Sequence, residues 1–214
     1  MHIADGYLSP TTVLVSYAVA VPLWVYGFKK LKEKLNEETL PVIGALAALS
    51  FIIMMFNVPV PGGTSGHAIG ASLIAIIFDP WIAFVSVSLV LLIQSIVFGD
   101  GGISAWAVNS LSMGFVASFV GYYVFKILKD KIKFAPFIAG YISIVTASLV
   151  VAIVLGIQPI FWSENGHPLY FPFDLKITIP AMVGEHMLFF GIVEGIFTQL
   201  IYGFLTKKEL EEVQ

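Results

Sequence analysis

The chain has 214 residues, 58% of them hydrophobic and 12% charged, with a mean hydropathy of +0.92; soluble domains carry about 25% charge, so a bilayer is the solvent this composition suits. A net charge of -3, with every basic residue a lysine, offers no phosphate-binding surface and excludes nucleic acid as a partner. The absence of cysteine removes disulfides, thiolate metal sites and a Cys nucleophile, which leaves nitrogen and oxygen, with Met sulfur a weaker donor, to hold any metal.

The first residues, Met1-His2-Ile3-Ala4-Asp5-Gly6-Tyr7, hold neither a basic n-region nor a small-residue cleavage site. No removable signal peptide is expected, and Met1 and His2 are read as part of the working protein. A membrane-spanning helix takes roughly 20 apolar residues; such stretches are predicted at 9–28, 39–60, 80–98, 104–128, 135–156 and 179–205. Residues 29–38 form a charged connector whose spacing fits a solvated helix turn. Between the Gly-rich segment Pro61–His67 and Pro80 lies a shorter apolar stretch, 68–79, long enough for a re-entrant piece or a short span. Asp79 before Pro80 predicts a helix N-cap. The loop 157–178 carries Trp162, Tyr170, Phe171 and Phe173 and reads as an interfacial segment with aromatic anchors, and the tail with Glu209, Glu211 and Glu212 reads as solvent-facing.

Lysine placement decides the number of crossings. Basic residues gather on cytoplasmic loops, and here they cluster at Lys29, Lys30, Lys32 and Lys34, at Lys126, Lys129, Lys131 and Lys133, and at Lys207 and Lys208, with Lys176 the exception. All three clusters fall on one side only if 68–79 also crosses. The expectation is therefore an all-α, polytopic membrane protein of about seven transmembrane helices, one membrane domain over 1–214, with the N-terminus outside and the C-terminus cytoplasmic. Segment 1–8 and the loop ending at His67 then share the outer face.

His2 is informative because of its position. The amine of Met1, the amide nitrogen of residue 2 and Nδ1 of His2 can close adjoining five- and six-membered chelate rings, provided the amide proton is lost. That geometry suits Ni(II) or Cu(II) better than tetrahedral Zn(II); the competing reading is a frayed terminus with no ligand. His67, closing a Gly-rich loop on the same face, can complete a plane of four nitrogens, or it can cap the helix that follows. Gly62, Gly63 and Gly66 would let the backbone pack closely and adopt positive φ, and Thr64 and Ser65 offer hydroxyls to orient ligands.

The start Met1-His2-Ile3-Ala4-Asp5-Gly6-Tyr7-Leu8-Ser9-Pro10, together with Val58-Pro59-Val60-Pro61-Gly62-Gly63-Thr64-Ser65-Gly66-His67, resembles the NikM/CbiM family. These are the substrate-binding (S) components of energy-coupling-factor nickel and cobalt transporters. The likeness extends through Phe98-Gly99-Asp100-Gly101-Gly102-Ile103 and Asn109-Ser110-Leu111-Ser112-Met113-Gly114. It implies a square-planar nitrogen site built from the Met1 amine, the backbone nitrogen and ring of His2, and the His67 ring. It also implies a multi-pass protein of the plasma (inner) membrane, working with a transmembrane coupling (T) subunit, cytoplasmic ATPase subunits and a small accessory membrane protein. The cargo is Ni(II), with Co(II) the alternative, and no catalytic cofactor is expected. The Pro-Gly-Gly-Thr-Ser-Gly-His loop looks like the nickel branch, and Ala4, where Pro often stands, need not touch the metal. Bulky His2 favours retention of Met1.

Polar residues inside apolar stretches are functional candidates by default. Glu185, His186 and Glu194 on the last span, and Asn109, could support the ligands, relay protons, contact a partner or simply pair to fix helix packing; Gln94 and Asp100 are weaker candidates, and His167 reads as an exposed loop residue. No Walker A motif is present, so energy must come from other chains. An intramembrane metalloenzyme is disfavoured, because four nitrogens in a plane leave no strong position for water and no His-Glu-x-x-His helix occurs. A vitamin-binding component would need an aromatic and polar pocket instead.

Overall fold

The computed structural model describes residues 1–60 and 64–212. Expectations for Gly62 and Gly63, the Thr64 hydroxyl and the side chains of Glu209, Glu211 and Glu212 lie outside the described residues. Helix α1, Pro10–Lys34, starts where the Ser9 side chain accepts the Thr12 N–H and Pro10 occupies the first turn, where its missing N–H costs nothing. It runs past the predicted apolar stretch because residues 29–34 are also good helix formers; Asn36 then accepts the Glu38 and Thr39 N–H groups in the turn to α2, Thr39–Met54. The predicted span 39–60 stops early. Pro59 cannot continue a helix, and Val58–Val60 (β1) pairs antiparallel with Thr64–Gly66 (β2), aligning Val58 with Gly66 and Pro59 with Ser65.

Within 68–79 only Ala71–Ile77 (α3) is helical, beginning at Gly70 with φ +77°, a left-handed conformation that favours glycine. Ala71, Ser72, Leu73, Ile74 and Ala75 are all buried, so α3 occupies the middle of the bundle. Asp79 caps α4, Pro80–Phe98, by accepting the Trp81 N–H at 2.7 Å. Then follow α5, Trp106–Leu128; α6, Ala135–Phe161; and α7, Leu175–Lys207, whose helical backbone continues to Glu212. Among the described residues, α1, α4, α5, α6 and α7 are the 5 helices long and apolar enough to cross a membrane, and α2 is a shorter apolar helix. The fold is that of an all-α polytopic membrane protein.

Helix α4 runs antiparallel to α1. Trp24 donates to Ser88 at 3.0 Å and Tyr26 packs edge-on to Trp81, while Tyr17 donates to the Ile103 carbonyl at 2.7 Å, beyond the other end of α4. Helices α6 and α7 are likewise antiparallel, with Gly140 against Thr198 and Gly156 against Thr178. The N-terminal segment is not a loose tail: Met1, Ile3 and Leu8 belong to the same buried cluster as α3 and α4. Phe171 corrects the expectation of a lipid-facing anchor. It is 1% exposed, stacks edge-on to Tyr7 and donates its N–H to the Tyr7 carbonyl, so this part of the loop 157–178 closes over the N-terminal segment. A two-residue hairpin, Ser163–Glu164 with His167–Pro168, holds the exposed part of that loop, with His167 on the surface.

Candidate metal centre

The chain's beginning lies in a cradle made by β2, the end of α4 and the start of α5. The Met1 amine donates to the Ser65 carbonyl, with the Ser65 hydroxyl 3.4 Å away. Asn109 holds both backbone groups of Ile3, accepting its N–H at 3.0 Å and donating to its carbonyl at 3.1 Å, as a neighbouring strand would. Gly102 donates to the same carbonyl at 2.8 Å. Asp5 accepts from the N–H groups of Ile103 and Ser104 and from the Ser104 hydroxyl. A side chain at Gly102 would collide with Asp5, and one at Gly101, where φ is +83°, would meet the His2 ring at 3.3 Å. These glycines permit the close approach of two backbones.

The two imidazoles that the sequence singled out are together, His2 and His67 stacking at 4.6 Å between ring centroids. Their tautomers follow from their partners. Gln94 Oε1, 3.1 Å from His2 Nε2, can only accept, so Nε2 carries the proton and Nδ1 presents a lone pair. The Ala68 carbonyl, 3.0 Å from His67 Nδ1, likewise takes a proton from that nitrogen and leaves Nε2 with the lone pair. Both lone-pair nitrogens are buried and without a hydrogen-bond partner among the described residues. His2 Nδ1 lies 3.4 Å from Asp100 Oδ1, but two acceptors cannot bond each other, so that distance reflects proximity only.

Burial keeps the donors unprotonated. It pushes the Met1 amine down to about 5 against the opposing charges of Glu185 and Asp100, and the His2 ring down to about 3, with the nearby terminus adding to the effect. His67 is held well below its usual value by burial first and by the terminus and His2 next. The candidates on α7 have different surroundings. Glu194 accepts from the Ile69 and Gly70 N–H groups at 2.7 and 2.9 Å and from Ser72, clamping the backbone just past His67. That carboxylate, not His67, satisfies the donors at the start of α3. Nearby on α7, His186 is buried, the Glu185 side chain is 11% exposed, and Phe190 packs where Gly66 leaves room for its ring. Asp5 escaped the sequence reading, as did Gln158, which accepts the Ser9 N–H at 3.0 Å and fixes the start of α1. A Gln in an apolar stretch was the available signal for Gln158, and the short spacing to Gly6 for Asp5.

Among the described residues no three His, Asp or Glu side chains converge at ligating distance. What the structure gathers here instead is the buried amine of Met1 beside two lone-pair imidazole nitrogens.

The family described as cobalt uptake substrate-specific transmembrane region matches residues 2–212. The chain is 42% identical over 210 residues to a Methanocaldococcus jannaschii protein provisionally named as a metal transport protein, covering 97% of this chain and 92% of that one. It is 40% identical over 220 residues to the fused nickel transport protein NikMN of Rhodobacter capsulatus, covering 99% of this chain but 63% of the longer fused protein. The cobalt transport protein CbiM of Clostridium tetani is 29% identical over 222 residues, covering 100% of this chain and 88% of its own length. A crystal structure of a transition metal transporter superposes with a TM-score of 0.95 at 45% identity, over 100% of this chain and 96% of that one. A family match over nearly the whole length, on a fold with membrane-crossing helices, fixes the class of the protein as a transporter part and not an enzyme. The chain belongs to the CbiM family, the multi-pass membrane components that give cobalt and nickel uptake its substrate specificity.

Proposed function

We propose that the chain captures Ni(II) in a square plane of four nitrogens: the Met1 amine, the deprotonated amide and Nδ1 of His2, and Nε2 of His67. The observation that carries this reading is the pair of buried, unpartnered imidazole nitrogens beside the buried amine. Gln94 and Ala68 supply the outer hydrogen bonds that choose each tautomer, the usual arrangement around a metal-binding imidazole. A strong-field plane that includes an amidate suits Ni(II), and the fused Rhodobacter relative is named for nickel. Co(II) is the second reading, favoured by the name of the Clostridium relative.

The path of the chain supports seven crossings. His67 lies at the Met1 end of α1, whereas Trp81, just past Asp79, packs on Tyr26 near the lysine-rich end. The chain therefore travels from one end of the bundle to the other between 67 and 79, with the seven-residue α3 covering the part below the site. With lysine-rich ends cytoplasmic, the N-terminus and the site face outward and the C-terminus inward, in the plasma (inner) membrane. Partners in this reading are a transmembrane coupling subunit, cytoplasmic ATPases and a small accessory membrane protein, which would release the captured ion inward.

The test is spectroscopic. Purified full-length protein beginning at Met1 should hold about one nickel per chain, as one four-nitrogen site requires, with the visible absorption of square-planar nickel. One extra residue ahead of Met1 should abolish both. A normal nickel load and spectrum in the extended protein would overturn the chelate.

A further inference from the structure

One carboxylate of α7 has no hydrogen-bond partner among the described residues. Both of its oxygens, those of Glu185, are buried and accept from no N–H or O–H group of those residues. Its Oε1 is 3.2 Å from His186 Nδ1, but that ring nitrogen is already engaged with the Met182 carbonyl at 2.7 Å, so His186 does not satisfy it. Two helical turns further along α7, Glu194 shows what a satisfied carboxylate looks like in this bundle, with two main-chain N–H groups and a hydroxyl on it. Glu185 ends the segment Leu175–Glu185, which packs on β2, the strand whose Ser65 carbonyl takes the Met1 amine, and its charge acts on that amine.

An unpaired carboxylate among membrane-crossing helices is costly and persists where function requires it. A divalent ion held by three neutral nitrogens and one amidate carries a single residual positive charge, because the amide proton has left. That charge would sit in a buried, apolar setting, where it is costly unless paired.

We propose that Glu185 is the countercharge of the occupied site, a carboxylate outside the coordination plane that neutralises the ion and its amidate. The inference rests on the four-nitrogen reading. It assigns Glu185 a positioning and electrostatic role, adds no ligand, and accounts for a carboxylate left without a partner among the described residues. It also gives the site a preference for cargo that arrives with two charges, since a monovalent ion on the same nitrogens would leave the carboxylate uncompensated.

The experiment compares the full-length wild type with Glu185→Gln and Glu185→Asp. Nickel affinity is measured by competition with a chelator of known strength, alongside the visible spectrum and the thermal midpoint of the unloaded protein. Glu185→Gln should weaken nickel binding about 10- to 100-fold, with the absorption band unmoved because the four nitrogens remain. The unloaded protein should melt no earlier than wild type, since an unpaired buried charge has been removed. Glu185→Asp should keep most of the affinity; this variant decides the matter should the amide variant not be recoverable. Wild-type affinity in Glu185→Gln, equal losses in the Asp and Gln variants, or a shifted band would overturn the countercharge. A wild type that binds nickel without the square-planar spectrum would instead overturn the chelate itself, so the two failures are distinguishable.

Discussion

His67 and His167 make a controlled comparison at the scale of the residue. Both follow a glycine in a loop, but the first is fully buried against His2 and the second is exposed on a two-residue hairpin. His67→Ala should therefore lower nickel affinity by at least about 10-fold while His167→Ala leaves it unchanged, as chelator competition would show; equal effects would remove His67 from the site. Asn109 holds the backbone of Ile3, next to the proposed ligand His2. Asn109→Leu keeps the branching of the side chain but strands the buried N–H of Ile3, at a cost of about 1–3 kcal/mol, and leaves the Ile3 carbonyl with Gly102 alone. The expected result is a lower thermal midpoint together with weaker nickel retention. The approach of His2 to His67 was legible in the sequence because the reading of a chelating terminus asks for a second histidine on the same face. Gln94 and Asn109 were legible only as polar residues in apolar surroundings, a signal that reports burial and not the atom contacted. Asp5 gave little beyond its spacing to Gly6, because most of its donors are main-chain N–H groups that any sequence possesses.

At the scale of the element, the helices that frame the site are irregular where they meet it. Gln94–Phe98, Ser110–Val116 and His186–Phe190 are π-helical turns, each opening beside or at a residue that faces the site: Gln94, Asn109 and His186. A π-turn inserts an extra residue and rotates the face that follows, which is how a helix keeps apolar residues toward lipid yet aims one polar residue inward. Hydropathy locates such helices and is blind to the insertion. The short hairpin β1–β2 was equally hidden, because Val58–Val60 extends an apolar run that looks helical until Pro59 is weighed against it. Its tolerance is narrow at Gly66, where a Cβ would fall inside the Phe190 ring. Gly66→Ala should cost about 1–3 kcal/mol through overpacking and, by moving Ser65 and His67 together, weaken nickel retention; calorimetry and metal analysis on the same sample would check both.

Considered as a whole molecule, the protein couples docking of its own terminus to pH. The Met1 amine falls from 8.0 when free to about 5 when docked, because burial disfavours the ammonium. The undocked chain then binds more protons than the docked one between those values, so docking is fully favoured above about pH 8 and weakens as pH falls toward 5. Metal capture follows the same sense, since amine, amide and imidazoles must all be unprotonated to coordinate. Nickel retention should be high at pH 7.5 to 8 and be lost below about 5, as equilibrium dialysis across that range would measure; a flat profile would contradict the assignment of the amine. At this scale the apolar stretches and lysine clusters were strong sequence signals, since the bilayer imposes them directly. The brevity of α3 was not, because a residue buried by its neighbours and one bathed in lipid have the same hydropathy. Phe171 was misread for the same reason: an aromatic near a helix end looks alike whether it meets lipid headgroups or Tyr7.

The clamp of Glu194 on Ile69 and Gly70 bridges about 125 positions of sequence, from the last helix to the third. Synthesis proceeds from the amino end, so residues 2 and 67 emerge long before the acid that braces the second of them. A growing chain would own both imidazoles yet lack the fastening behind the second of them. On the four-nitrogen proposal it would remain a poor trap for stray ions until α7 takes its place, so that competence to seize cargo is deferred to the finished bundle.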